Sequence, residues 1–166
     1  MTPVRLGVLA AIVALALDQA SKLWLLHGFE LARKGVVRVL PFFDLVLAWN
    51  TGISYGWFSG QGQGPTGQML MLAFKVVAVV ALAIWMARST TRLATIGLGL
   101  IIGGAIGNAI DRLAYGAVVD FALLHAEIGG KTYNWYVFNI ADVAIVVGVA
   151  ALLYDSLIGL PAAKAP

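Results

Sequence analysis

The 166 residues are 61% hydrophobic and 11% charged, whereas an ordinary soluble domain carries about 25% charged residues, so the bilayer is the expected solvent. The absence of cysteine excludes a disulfide framework, a zinc–thiolate site and a thiol nucleophile. Two histidines are too few for a histidine metal cluster, and a formal net charge of +3 suits an anionic membrane surface but is too small to indicate nucleic acid.

Leu6 to Leu17 carries no charge, and the apolar character continues to about Leu26, enough to span a bilayer, which takes about 20 residues. A cleaved signal peptide, with Arg5 as its basic end and Ala14-Leu15-Ala16 as its cleavage site, is set aside because the apolar run continues past that site and no soluble domain follows. Asp18-Gln19-Ala20-Ser21-Lys22 sits in the outer part of this span. Asp18 and Lys22 are spaced i, i+4 and share a helix face. Either they neutralise each other while Lys22 reaches out to the interface, or both face an internal polar cavity.

Residues 27–68 are too polar and broken to span. Val36 to Leu40 and Phe42 to Trp49, split by Pro41, have the β-branched and aromatic content of two short strands at the membrane surface. Asn50-Thr51-Gly52 ends the second with ordinary turn residues. Ile53 to Phe58 is apolar and aromatic and is expected in the interface. Gly60 to Pro65 reads as a mobile loop.

Met69 to Ala87, interrupted by Lys75, is the second span, and Arg88 to Arg92 a short basic loop. Leu93 to about Arg112 is the third span, rich in glycine. Gly103-x-x-x-Gly107 reads as a close helix-packing face, which leaves Asn108, Asp111 and Arg112 unexplained. Residues 113–137 form a second excursion, with Val118 to Phe121 and Thr132 to Val137 as short strands around a Gly129-Gly130 turn. Phe138 to about Gly159 is the fourth span, with Asp142 in its first turns, and no second domain is indicated. The basic residues divide evenly between the two sides, so the short loop Arg88 to Arg92 orients the chain, with both termini in the cytoplasm.

On this topology Asp18, Lys22, Asn50, Asn108, Asp111, Arg112, Asp120, Asn139 and Asp142 all gather near the outer membrane surface. An ionised carboxylate beside hydrocarbon is costly and marks function. Asp120 and Asp142 lie at the two ends of one short excursion and can meet. Without an activated serine, a hydrolase here would use a water activated by one ionised Asp, while the other, protonated, polarises the carbonyl and protonates the leaving amine. The competing class is a small proton- or ion-coupled transporter, but the inner halves of the spans are nearly bare of charge. A metal on Asp111, Asp120 and Asp142 is chemically possible but opposed by Lys22 and Arg112.

Five motifs in order, Asp18-Gln19-x-Ser21-Lys22, Asn50-x-Gly52, Gly103-Gly104-Ala105-x-Gly107-Asn108-x-x-Asp111-Arg112, Val119-Asp120-Phe121 and Phe138-Asn139-x-Ala141-Asp142, resemble those of the bacterial lipoprotein signal peptidases, the signal peptidase II family, over nearly the whole chain. The resemblance implies an aspartic endopeptidase of the inner membrane that cuts prolipoproteins on the amino side of a diacylglyceryl-modified cysteine and is the target of globomycin. It implies Asp120 and Asp142 as the catalytic pair, lined by Asp18, Lys22, Asn50, Gly52, Gly104, Asn108, Arg112, Asn139 and Ala141. Tyr55-Gly56-Trp57 departs from the small residue and Phe expected there. The expected fold is one all-α membrane domain over residues 1–166. Four transmembrane helices, at about 6–26, 69–87, 93–112 and 138–159, carry a small extracytoplasmic β-cradle and a mobile interfacial loop. Expected partners are lipid-modified prolipoproteins and membrane lipids, with no nucleic acid, no cofactor and no metal, and the expected state is a monomer.

Overall fold

A computed structural model describes residues 1–51 and 65–158. The expectations for Gly52, for Ile53 to Phe58, for the loop before Pro65 and for the end of the chain lie outside the described residues.

Helix α1 runs Pro3–Leu23. Pro3 stands in its first turn, where no amide hydrogen is needed. The helix continues as a widened π-helical turn over Trp24–Gly28, which brings Leu25 to the floor of the sheet. A short helix, α2 (Leu31–Lys34), leads into strands β1 (Val37–Leu40) and β2 (Phe43–Asn50). Helices α3 (Pro65–Arg88) and α4 (Arg92–Tyr115) follow, then β3 (Val118–Ile128), β4 (Lys131–Asn134) and α5 (Ile140–Ile158).

Among the described residues, three helical stretches are long and apolar enough to cross a membrane: Pro3–Gly28, Arg92–Tyr115 and Ile140–Ile158. Helix α3 has 24 residues and contributes the apolar stretch Val76–Arg88. Helix α4 is the central one: more than half of its apolar window is buried in the protein, while α1 and α5 leave most of theirs exposed. Thr91 caps its start by accepting the Ala94 amide at 3.2 Å. Gly116, at φ 74°, ends it with a hydrogen bond to the Arg112 carbonyl.

The glycine face expected in α4 is a packing face. A methyl on Gly103 would strike the carbonyl oxygen of Ala11 on α1, and one on Gly104 would meet the Ala141 carbonyl of α5 at 2.5 Å. Without these two Cβ atoms α1 and α5 lie directly on the α4 backbone.

The four strands form one antiparallel sheet in the order β1-β2-β3-β4. Two limits differ from expectation. Strand β3 extends past Phe121 to Ile128, and β4 stops at Asn134 rather than Val137. The hairpin turn is Gly129-Gly130, both at positive φ, as a two-residue hairpin loop requires. After β4 the chain is held to β3 at a single point, Phe138 opposite Ala122, with Phe138 N donating to Ala122 O at 3.0 Å and Ala122 N to Phe138 O at 2.8 Å. Helix α5 therefore starts at Ile140, two residues after the expected Phe138. Leu25, Leu31, Phe121 and Ala122 form the core beneath the sheet, with Phe29, Val37, Phe43 and Phe138 packed against it.

Candidate active site

Polar residues at one end of the helices meet the sheet in one continuous hydrogen-bonded cluster. Its base is Lys22, 2% exposed, whose ammonium lies 2.8 Å from Asp18 Oδ2, 2.7 Å from Asp111 Oδ2 and 3.2 Å from Asn108 Oδ1. An ammonium has three protons to donate, and all three have acceptors. Asp18 and Lys22 thus neutralise each other inside the protein, and Lys22 does not extend to the protein surface. Gln19 Nε2 donates to Asp18 Oδ2 at 3.1 Å and to Asp111 Oδ1 at 3.0 Å. Gly107 leaves room for this pair, since a Cβ there would meet Asp18 Oδ2 at 2.5 Å.

Above the base lie Asn108 and Asn139. Asn108 accepts from Lys22 through its oxygen and donates its amide to Asp142 Oδ1 at 2.9 Å. Asn139 is the residue before α5. Its side-chain oxygen accepts the Asp142 amide at 3.0 Å, and its own backbone amide donates to Asp142 Oδ2 at 3.2 Å. This reciprocal box caps the helix and fixes the Asp142 side chain. Both oxygens of Asp142 are acceptors, at a helix N-terminus, where the backbone dipoles favour negative charge.

Asp120 faces this pair from β3. Asn139 Nδ2 donates to its Oδ1 at 2.6 Å, and Asn50 Nδ2, from the end of β2, donates to its Oδ2 at 3.0 Å. Asn139 thus touches both carboxyls. Burial pushes the Asp120 carboxyl above the ordinary carboxylate range. The Asn50 hydrogen bond opposes this, the charge of Asp142 adds to it, and Asn139 and Lys22 pull it back in part.

The residues expected around the pair do not all stand beside it. Asn50, Asn108 and Asn139 do. Asp18 and Lys22 lie beneath it, fully buried. Gly104 and Ala141 form the contact that seats α5 on α4. Arg112 is half-buried and reaches back along its own helix to the Asn108 carbonyl at 3.4 Å. Gln19 also belongs to the cluster, and Asp111, expected among the gathered polar residues but not among those lining the pair, lies at its base. Asp111 follows Gly107 at i+4 and so shares the face of α4 that meets α1, a signal available in the sequence.

No group of three or more His, Cys, Asp and Glu side chains able to hold a metal ion occurs among the described residues. Lys22 occupies the centre of the acidic base.

Residues 10–158 match the protein family described as Signal peptidase (SPase) II. The chain is 92% identical, over all of both chains, to a lipoprotein signal peptidase of Rhodopseudomonas palustris. It is 72% identical, again over all of both, to one of Nitrobacter hamburgensis. Among solved structures, it superposes on a bacterial membrane enzyme with a TM-score of 0.77 at 24% identity, covering 96% of this chain and 92% of that one. A second bacterial membrane enzyme matches with a TM-score of 0.72 at 25% identity, covering 91% and 92%.

Proposed function

The chain belongs to the signal peptidase II family, and on that premise we propose that it is an aspartic endopeptidase that removes the signal peptide of prolipoproteins, cutting on the amino side of a diacylglyceryl-modified cysteine. The observation that carries the reading is the tie between Asp120 and Asp142 through Asn139.

Two carboxyls tied to one residue in a poorly solvated place share a proton. Asp120, with its raised affinity for protons, holds it. Asp142 takes a proton from water as the water oxygen attacks the scissile carbonyl carbon. Asp120 donates its proton to the carbonyl oxygen, which becomes the hydroxyl of a tetrahedral intermediate. Collapse of that intermediate breaks the C–N bond: the proton on Asp142, rather than one from Asp120, passes to the leaving amine, and a hydroxyl of the intermediate returns its proton to Asp120 as the carbonyl re-forms. Asn50 and Asn139 orient Asp120, while Asn108 and the helix cap orient Asp142.

The location of the pair suits such a substrate. It lies where the helices give way to the sheet, at the level where the scissile bond of a lipid-anchored precursor stands while its acyl chains remain in the bilayer. We place four spans in the bacterial inner membrane, with α3 as the second, the termini in the cytoplasm and the sheet outside as a cradle for the substrate. Exposed Tyr133, Trp135 and Tyr136 fit the headgroup layer, where such rings collect. A proton- or ion-coupled transporter finds no support in the family match, and the polar cluster stands at one end of the helices only.

The test is to incubate the purified protein in detergent with a lipidated precursor and with its unlipidated twin. Shortening of the lipidated precursor alone supports the reading. Equal cutting of both, or of neither, contradicts it.

A further inference from the structure

The three charges beneath the pair are connected to it through the backbone. Asp111 Oδ2 accepts the amide of Val119 at 3.1 Å, and Val119 is the residue before Asp120. Asp18 Oδ1 accepts the amide of Ala141 at 2.9 Å, and Ala141 is the residue before Asp142. Both carboxylates are paired with the single ammonium of Lys22, at 2.7 and 2.8 Å. Gln19 bridges them a second time. Each member is at least 98% buried except Gln19.

We propose that Asp18, Lys22 and Asp111 form a rigid frame that sets the separation of Asp120 and Asp142, and that Asp111 is a positioning residue for catalysis. The inference rests on the reading of Asp120 and Asp142 as the catalytic pair. Strand β3 and helix α5 are otherwise joined near the pair by the Phe138–Ala122 bridge and the Asn139 side chain. The bridge holds the strand and the helix entry together but does not reach the α1–α4 layer. The frame does: it ties the backbone just before each catalytic residue to one charge on α1. An ion pair is a stiff spacer here because every donor and acceptor in it is used. Were Lys22 only neutralising a stray buried charge, one carboxylate would suffice, and neither would need to reach a backbone amide.

Asp111→Asn breaks the frame with almost no change in volume. The amide has one acceptor oxygen, which cannot serve Gln19, Lys22 and Val119 together. Displacements of about 1 Å away from the chemistry cost about a hundredfold in rate. Per folded molecule, Asp111→Asn and Asp18→Asn are therefore expected to lower kcat about ten- to hundredfold, with KM for a lipidated precursor peptide within about twofold of wild type. The two limbs of the pH–rate profile should also move toward each other, because carboxyls held less closely repel less. A merely structural role would lower the yield of folded protein and leave kcat and the profile alone.

The assay uses full-length protein in detergent, with Asp120→Asn measured in parallel and folded protein quantified by circular dichroism and gel filtration. Inactive Asp120→Asn beside Asp111→Asn with wild-type kcat and profile overturns the frame and leaves the catalytic pair standing. Active Asp120→Asn overturns the pair and the frame with it. If Asp111→Asn does not accumulate, Asp111→Glu keeps the charge opposite Lys22 but displaces Val119 by a methylene. It is expected to lower kcat in the same way, and wild-type kcat in it overturns the frame.

Discussion

Asn139 donates its side-chain amide to Asp120 at 2.6 Å, while its backbone amide and side-chain oxygen grip Asp142. One residue therefore sets the charge balance of one carboxyl and the orientation of the other. Hydrogen bonds from Asn50 and Asn139 favour the ionised form of Asp120, so removing either raises its proton affinity further. With Asp120 as the proposed acid, the rate is expected to fall as pH rises through its titration. In Asn50→Ala the alkaline limb of the pH–rate profile should move to higher pH with helix α5 still capped. In Asn139→Ala it should move the same way, with an added fall in kcat. A shift to lower pH in Asn50→Ala contradicts Asp120 as the acid.

Gly104 controls how closely α5 lies on α4. A methyl there would meet the Ala141 carbonyl at 2.5 Å and Ile145 Cγ1 at 2.9 Å, and the next residue after Ala141 is Asp142. Gly104→Ala is expected to leave a folded membrane protein whose cleavage rate is about ten- to a hundredfold lower. Wild-type turnover would show that α5 can shift without cost to the site.

Lys22→Met tests the frame through stability. Removing the ammonium leaves two buried carboxylates without their partner. Breaking a buried ion pair in this way costs about 3–5 kcal/mol. Thermal unfolding in detergent should show a large fall in Tm. An unchanged Tm would mean that Asp18 and Asp111 do not depend on Lys22.

Much of this site was legible in the chain because polar residues in an apolar sequence stand out. Asp120 and Asp142 stand out as costly carboxylates beside apolar runs, while Asn50, by itself an ordinary turn residue, Asn108 and Asn139 join them through the topology and the motifs, and all five meet. What was not legible is long-range pairing. The i, i+4 spacing shows that Asp18 can reach Lys22, but nothing local shows that Asp111 reaches the same ammonium from another helix. Strand β3 was read too short because Ala122 to Ile128, with its Ala, Leu and Glu, lacks the β-branched signature. It is a strand because its partners β2 and β4 make it one. The entry of α5 was placed two residues early because Phe138 looks like the start of an apolar helix, whereas it is bonded across to Ala122. The buried pair of Asp44 and His125, 3.2 Å apart across β2 and β3, is another long-range pairing, since nothing local shows that the two strands bring these residues together.

The proposed topology puts Lys131 outside and Arg92 and the C-terminus inside. Reporter fusions at these three points should be active in the periplasm only for Lys131. A cytoplasmic reporter at Lys131 would invert the molecule and remove the site from any lipid-anchored substrate on the outer face.

The proposed cut is made by Asp120 and Asp142 together. Its most direct measurement is the single-turnover cleavage of a lipidated precursor by wild type, Asp120→Asn and Asp142→Asn at equal amounts of folded enzyme, across pH. A bell-shaped profile is expected for wild type and a loss of at least about a hundredfold in each variant, with precursor still bound. Cleavage at the wild-type rate by either variant would contradict the proposed pair.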